Sequence, residues 1–346
     1  MKSGIFIEPG KMEVRNVPKP TIQEPTDAII RVIRACVCGS DLWWFRGINP
    51  AKSGTAEGHE SIGVVEEVGS AVTDIKPGDF VIAPFTHGCG HCAACKAGFD
   101  GNCLEHQDNF SVANQSEYVR YPYANWALVK VPGKPEDYTD EQLNSLLTLA
   151  DVMATGYHAA VSSEIKKGDT VAVIGDGAVG LCGVIGAKLL GAGRIISLSH
   201  HEDRAKLARE FGATDIVAEK GEKAVEKVLA LTNGAGADAV LECVGATSAI
   251  EQAGQIARPG AVIGRVGVPQ AEPKSNQLFW QNKGLRGGVA PVTTYDKNVL
   301  LDAVLKGKIN PGKVFTKRFD LDHLQDAYEA MSNREAIKSL IVVANQ

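Results

Sequence analysis

The sequence has no cluster of lysine and arginine. Its 36 basic side chains are spread among 41 acidic ones, for a formal charge of -5. Binding a phosphate backbone takes a basic stripe, so no nucleic-acid partner is expected. There is also no uninterrupted apolar run of membrane-spanning length, since the longest is glycine-rich and broken by Asp176 and Lys188. The opening residues, M-K-S-G-I-F-I-E-P-G, lack the apolar centre of an export signal. A cytoplasmic protein with no membrane partner is therefore expected. Without export, eight cysteines point to metal ligation or burial rather than to a disulfide framework. Internal repeats and low-complexity segments are absent too. What remains, 44% apolar and 22% charged residues in a chain of 346, suits a globular protein with two domains, each burying its own core.

The most informative stretch runs from Thr170 to Gly191, T-V-A-V-I-G-D-G-A-V-G-L-C-G-V-I-G-A-K-L-L-G. Val171 to Ile174 is a short β-branched run suited to a strand buried on both faces of a parallel sheet. Gly175, Gly177 and Gly180 follow at G-x-G-x-x-G spacing. That spacing permits a tight turn, close approach to a pyrophosphate and close helix packing. The next residues read as a helix whose free N-terminal amides can hold phosphate. The pattern alone is common. Its place between a strand and a helix, with a further strand at Arg194 to Leu198, is what points to a dinucleotide.

Before this stretch, short β-type runs alternate with Gly and Pro turns: 4–7, 12–17, 28–36, 61–68, 80–84, 117–121 and 126–131. Helices are expected from Asp140 and over 154–163. After it, helices at 203–211, 222–231 and 248–257 alternate with strands at 215–217, 237–243 and 261–266, which predicts a doubly wound parallel sheet. Thr247 reads as an N-cap, and Arg258-Pro259-Gly260 as a stop. The tail reads as helix 295–306, a β run at 315–319, helix 324–331 and strand 339–343.

Four cysteines fall close together. Cys89-x-x-Cys92-x-x-Cys95, then Cys103, supply the four thiolates of a closed tetrahedral zinc site, with a structural role because no position is left for substrate. An iron-sulfur cluster uses the same ligands, but the remaining chain points to hydride rather than one-electron chemistry. His87, His91 and His106 are expected on the surface of this lobe, and Cys36, Cys182 and Cys243 as packed small hydrophobes.

Three dispersed segments carry another set: Cys38-Gly39-Ser40-Asp41, Gly58-His59-Glu60 and Ala150-Asp151. The run from Gly58 to Val81, G-H-E-S-I-G-V-V-E-E-V-G-S-A-V-T-D-I-K-P-G-D-F-V, resembles the signature of the zinc-containing alcohol dehydrogenases of the medium-chain dehydrogenase/reductase superfamily. The cysteine lobe and the G-D-G-A-V-G turn follow in the same order, so the resemblance spans nearly the whole chain. It implies an α/β protein with a GroES-like β domain over 1–152, including the zinc lobe at 89–103. A Rossmann domain is then inserted at 153–290, and 291–346 returns to the first domain, with a catalytic zinc in the cleft between the two.

The ligands implied by the resemblance are Cys38, His59 and Asp151, with Glu60 as a neighbouring or exchangeable ligand. Many relatives have cysteine as third ligand; aspartate resembles the bacterial secondary-alcohol dehydrogenases. Ser40 is implied as proton acceptor and Asp41 as the partner that orients His59. Where many relatives continue the relay with histidine, this chain has Trp43. Trp43, Phe85 and Phe110 match substrate-pocket positions, though ordinary core aromatics would read the same. Thr155, Val179, Val266 and Val268 match positions at the nicotinamide, and Lys338 one at the pyrophosphate.

An NAD enzyme of this fold usually carries an acid about 20 residues beyond the last fingerprint glycine. Ser199 stands there, followed by His200, His201 and, one turn on, Arg204. Hydroxyl and basic groups suit a 2′-phosphate, so NADP is favoured over NAD, although Glu202 and Asp203 follow closely. The expectation is a homodimeric or homotetrameric enzyme with two zinc ions per chain. It would exchange hydride between NADP and a secondary or medium-sized primary alcohol or its carbonyl product. NAD-linked polyol or amino-alcohol oxidation is the nearest alternative, and a non-catalytic cofactor-binding relative the alternative of another class.

Overall fold

The computed structural model describes residues 1–105, 110–270, 272–273 and 275–344, so His106 lies outside the described residues. The chain divides into two compact units, one of Met1–Asp151 with Pro291–Gln346 and the other of Val152–Ala290.

The first unit opens with the hairpin β1 (Lys2–Glu8) and β2 (Lys11–Asn16). β3 (Ala28–Cys36) then leads through α1 (Asp41–Phe45) to β4 (Ser61–Val68) and β5 (Phe80–Ala83). The cysteine lobe carries α2 (Ala93–Lys96), and β6 (Tyr118–Tyr121), α3 (Ala124–Ala127), β7 (Val129–Val131) and α4 (Asp140–Leu149) complete this stretch. A strand had been expected from Trp126. Instead Asn125 accepts hydrogen bonds from the Thr73 and Asp74 amides, and the chain coils over 124–127 to reach them.

β3 is the middle of this unit. Its sequence A-I-I-R-V-I-R-A-C is apolar on both faces, and Arg34 is buried only because its guanidinium bonds Asp140 and Asn144. α4 starts at a reciprocal cap, with Thr139 Oγ1 accepting from the Gln142 amide and Gln142 Oε1 from the Thr139 amide. It ends at Leu149, which places Asp151 just beyond the helix.

The second unit begins with α5 (Val152–Ser162), then β8 (Thr170–Ile174), α6 (Ala178–Leu189), β9 (Arg194–Leu198), α7 (Glu202–Phe211) and β10 (Asp215–Val217). After these come α8 (Glu222–Leu231), β11 (Ala237–Glu242), α9 (Thr247–Ile256), β12 (Ala257–Arg265), α10 (Ser275–Trp280) and β13 (Gly284–Gly287). The six strands lie in the order β10-β9-β8-β11-β12-β13, all parallel. Ile174, Ile196, Val240 and Ile263 fill its core. Thr247 opens α9 rather than capping it, because Ala246 holds the cap position. Arg258-Pro259-Gly260 follows the end of α9 at Ile256, as expected of a helix stop, and β12 runs through it, with a register shift against β11 where Pro259 has no amide to offer.

The tail returns to the first unit as α11 (Val292–Tyr295), a wider i→i+5 turn over Asp296–Leu300, α12 (Leu301–Leu305), β14 (Phe315–Asp320), α13 (Leu324–Ser332) and β15 (Lys338–Val342). The helix expected over 295–306 is thus present as one continuous helical run over 292–305, with the wider turn in its middle. The seven-stranded sheet reads β14-β15-β3-β4-β5-β7, with β6 also on β3. β15 therefore pairs with the central strand, and Ile341, Tyr328 and Leu324 join Ile30, Val32 and Val81 in one core.

Candidate active site

In the lobe of the first unit, the sulfurs of Cys89, Cys92, Cys95 and Cys103 all lie within 4.8 Å of one another. Main-chain amides aim at them: Cys89 N at Cys103 Sγ, Cys92 N at Cys89 Sγ, and Cys95 N and Leu104 N at Cys92 Sγ, at 3.3–3.5 Å. Such donors stabilise thiolate. Those from Leu104 and Cys95 bring the Cys92 thiol down to about 6. The wrap needs glycine, because a Cβ at Gly88 would stand 2.9 Å from Cys95 Sγ and one at Gly90 2.7 Å from the Trp126 ring. Four convergent, amide-supported sulfurs fit a closed zinc site. His91 is exposed and pairs with Glu105. His87, expected on the surface, is instead buried, its ring 5.9 Å from that of Tyr121 and nearly perpendicular to it.

The second set is assembled by the sheet. Ala35 of β3 pairs with Ser61 of β4, so Cys38 just after one strand and His59 and Glu60 just before the other meet at one sheet end. Asp151 arrives there from the end of α4. One donor atom from each of Cys38, His59, Glu60 and Asp151 lies within 4.8 Å of the others. Asp151 Oδ2 is 3.4 Å from Cys38 Sγ and 3.5 Å from His59 Nε2. The other ring nitrogen, His59 Nδ1, lies 3.3 Å from Asp41 Oδ1, while Asp41 Oδ2 accepts from the Cys38 amide at 2.9 Å.

Burial opposes a charged His59 ring, but the Asp41 carboxylate and the acidic groups around it outweigh that and hold its pKa well above the usual value. Burial, reinforced by Asp151, pushes the Cys38 thiol up. Glu60 Oε1 accepts from Lys338 Nζ at 2.7 Å, and Glu60 Oε2 is buried with no hydrogen-bond partner among the described residues. Thiol, imidazole and carboxylates crowded together, with one orphaned carboxylate oxygen, are what a zinc ion would satisfy.

Lys338 does not stand where a pyrophosphate could reach it. It is 1% exposed, pinned between Glu60 and the Val37 carbonyl, because a buried carboxylate needs a buried cation. Ser40 is half-buried at the start of α1, and Trp43 is half-buried on the same helix. Phe85 lies 6.1 Å, ring to ring, from both His59 and Phe110, and Phe110 is itself exposed.

In the second unit, Gly175 takes φ +110°, and a Cβ at Gly180 would collide with the Gly175 carbonyl at 1.9 Å. Space at Gly177 is open, beside the N-terminus of the twelve-residue α6. An open cradle at a helix N-terminus fits a dinucleotide pyrophosphate. Val179 and Val266 are half-buried, Val268 is exposed, and Thr155 is buried on α5. Sequence reasoning missed Asp176. Its Oδ2 accepts from Ser199 Oγ and the His200 amide, and its Oδ1 pairs with Arg204, each at 3.1 Å. An acid inside the glycine fingerprint, next to the cofactor-selecting strand, was the available signal.

The chain matches the family model described as "Alcohol dehydrogenase GroES-like domain" over 24–133 and that described as "Zinc-binding dehydrogenase" over 178–293. It is 34% identical to zinc-type alcohol dehydrogenase B of Aspergillus flavus, over all of this chain and 82% of that protein. It is 32% identical to the NADP-dependent isopropanol dehydrogenase of Clostridium beijerinckii, over 92% and 93% of the two chains. Among solved structures, an alcohol dehydrogenase from Thermus sp. ATN1 superposes with a TM-score of 0.89 at 31% identity, covering 99% of this chain and all of the other. With this fold and these donor sets, the chain belongs to the zinc-type alcohol dehydrogenases of the medium-chain dehydrogenase/reductase superfamily. It is an enzyme, a zinc-dependent alcohol oxidoreductase. Among the described residues, no helix is long and apolar enough to cross a membrane.

Proposed function

We propose that this chain interconverts a secondary or medium-sized primary alcohol and its ketone or aldehyde, using NADP and two zinc ions with separate roles. The observation that carries this reading is the convergence of buried Cys38 and Asp151 with half-buried His59, and the orphaned Glu60 oxygen beside them. In the forward direction, alcohol and NADP⁺ give carbonyl, NADPH and a proton. Zinc held by Cys38, His59 and Asp151 would supply Lewis acidity, lowering the pKa of an alcohol at its open position. Asp41 orients the His59 ring through Nδ1, leaving Nε2 for the metal. Ser40, two residues past Cys38, accepts the alcohol proton. Trp43 offers no continuing relay, so the proton leaves by water or the cofactor ribose.

NADP is favoured by the hydroxyl of Ser199 where NAD enzymes carry an acid and by the Arg204 guanidinium on α7. The isopropanol dehydrogenase named above uses NADP. The aromatic wall of Phe85 and Phe110 beside His59 supports a compact, apolar substrate. A homo-oligomer is supported by β13, an edge strand, with Phe279 and Trp280 of the preceding α10 exposed.

The test is a panel of primary alcohols, secondary alcohols, polyols and their carbonyl products with each cofactor, alongside zinc content. The expected result is two zinc ions per chain and a higher kcat/KM for NADP with short secondary alcohols. One zinc per chain, or a preference for polyols with NAD, would overturn the reading.

A further inference from the structure

We infer that Asp176 is an internal anion which occupies the 2′-phosphate receptor of this chain and sets how strictly NADP is selected. This inference rests on the NADP reading above. The donors assigned to a 2′-phosphate are already engaged: Ser199 Oγ and the His200 amide both donate to Asp176 Oδ2, and Arg204 Nη1 to Asp176 Oδ1, all at 3.1 Å. A hydroxyl, a main-chain amide and a guanidinium converging on one anionic group are what a bound phosphate itself would collect. The Asp176 and Arg204 side chains are only 14% and 15% exposed, so solvent screens the pair little.

Two consequences follow from charge. First, Arg204 is compensated before any nucleotide arrives. A 2′-phosphate must then share its donors with a carboxylate or displace it, with like charges held side by side in a poorly solvated place. A 2′-hydroxyl is uncharged and can donate to Asp176, so NAD meets no such penalty. Second, the receptor is only partly spent. Arg204 Nε and Nη2 have no protein partner among the described residues and remain for a phosphate. The His200 ring is less available than its sequence position suggests, since Nδ1 faces the Ala218 carbonyl at 2.9 Å. Asp176 therefore acts against NADP selectivity from within the glycine turn, the segment that binds both cofactors.

The substitution Asp176→Asn keeps the shape and removes the charge. Calorimetric titration of the purified enzyme with 2′,5′-ADP and with 5′-AMP reads binding directly, without turnover. Asp176→Asn should bind 2′,5′-ADP roughly tenfold tighter or more, with 5′-AMP unchanged within about twofold, since only the charge facing the 2′-position has changed. The gain should disappear in Asp176→Asn combined with Arg204→Ala. Unchanged or weaker binding of 2′,5′-ADP by Asp176→Asn with a wild-type melting temperature overturns the inference, leaving Asp176 as a residue that merely holds Arg204 in place. Should Asp176→Asn not fold, Asp176→Ser reads the same ratio with the same two outcomes. The NADP reading fails separately, when wild type binds 2′,5′-ADP no better than 5′-AMP and Arg204→Ala changes neither.

Discussion

Cys89, Cys92, Cys95 and Cys103 fall within fifteen consecutive residues, and the groups that steady them are amides of the same loop. Cys38, His59, Glu60 and Asp151 come from three segments spread over more than a hundred residues, and charged side chains steady them: Asp41 behind His59, Lys338 behind Glu60. The first arrangement carries its own geometry. The second borrows geometry from strand pairing and from a helix end. A local site ties metal binding to the stability of its lobe, whereas a dispersed site can lose its metal while the surrounding sheet stays folded.

The sharpest way to break this contrast is to remove one ligand from each set. His59→Ala should abolish turnover and leave a folded protein that still binds nucleotide. Cys95→Ser should keep the second set intact yet lower the melting temperature by several degrees, at about 2–4 °C per kcal/mol for a domain of this size. Parallel activity and melting measurements check both. A His59→Ala protein that melts as low as Cys95→Ser would erase the distinction.

Next in size is Ser40→Ala, expected to lower kcat by roughly 10²–10⁴-fold with zinc content unchanged, as for loss of a positioned proton acceptor. Single-turnover kinetics with metal analysis decide it, and full activity would remove Ser40 from the mechanism. Lys338→Met probes the charge behind the dispersed set. Leaving Glu60 buried and unpaired should cost about 3–5 kcal/mol in urea unfolding of the metal-stripped protein. A loss confined to nucleotide affinity would instead return Lys338 to a phosphate role. The smallest effect is expected from Asp41→Asn, which should weaken zinc at the dispersed set by about 10–100-fold in chelator competition and leave the cysteine lobe unaffected.

The cysteine lobe was legible because its ligands and supports share one short segment. β3 and β4 were readable to the residue, since continuous β-branched runs bounded by turns leave little choice of ends. The dispersed set was not readable from local sequence. Cys38, His59 and Asp151 are each unremarkable until strand pairing joins them, and only the resemblance brought them together. Lys338 was misplaced for the same reason: nothing near A-I-K-S-L says that Lys338 faces Glu60 across the sheet. Asp176 was overlooked because the fingerprint is read for its glycines, and the residue between two of them counts as any residue. α10 and β13 were passed over because G-L-R-G has no apolar alternation and an edge strand needs none.

The place of β15 in the first sheet has a consequence for biosynthesis. Because Lys338 belongs to the strand beside β3, Glu60 has no buried counter-charge until Lys338 itself has been synthesised, more than 270 residues later. The second unit is continuous and can close while the first waits. At about 5–20 residues per second, the stretch from Pro291 to Lys338 takes a few seconds to emerge, and through that interval β3 lacks its partner over residues 34–36, while β6 already holds 28–31 on the same side. Nascent chains of this protein are thus most open to aggregation in the interval before β15 is made, after the nucleotide-binding unit is already complete.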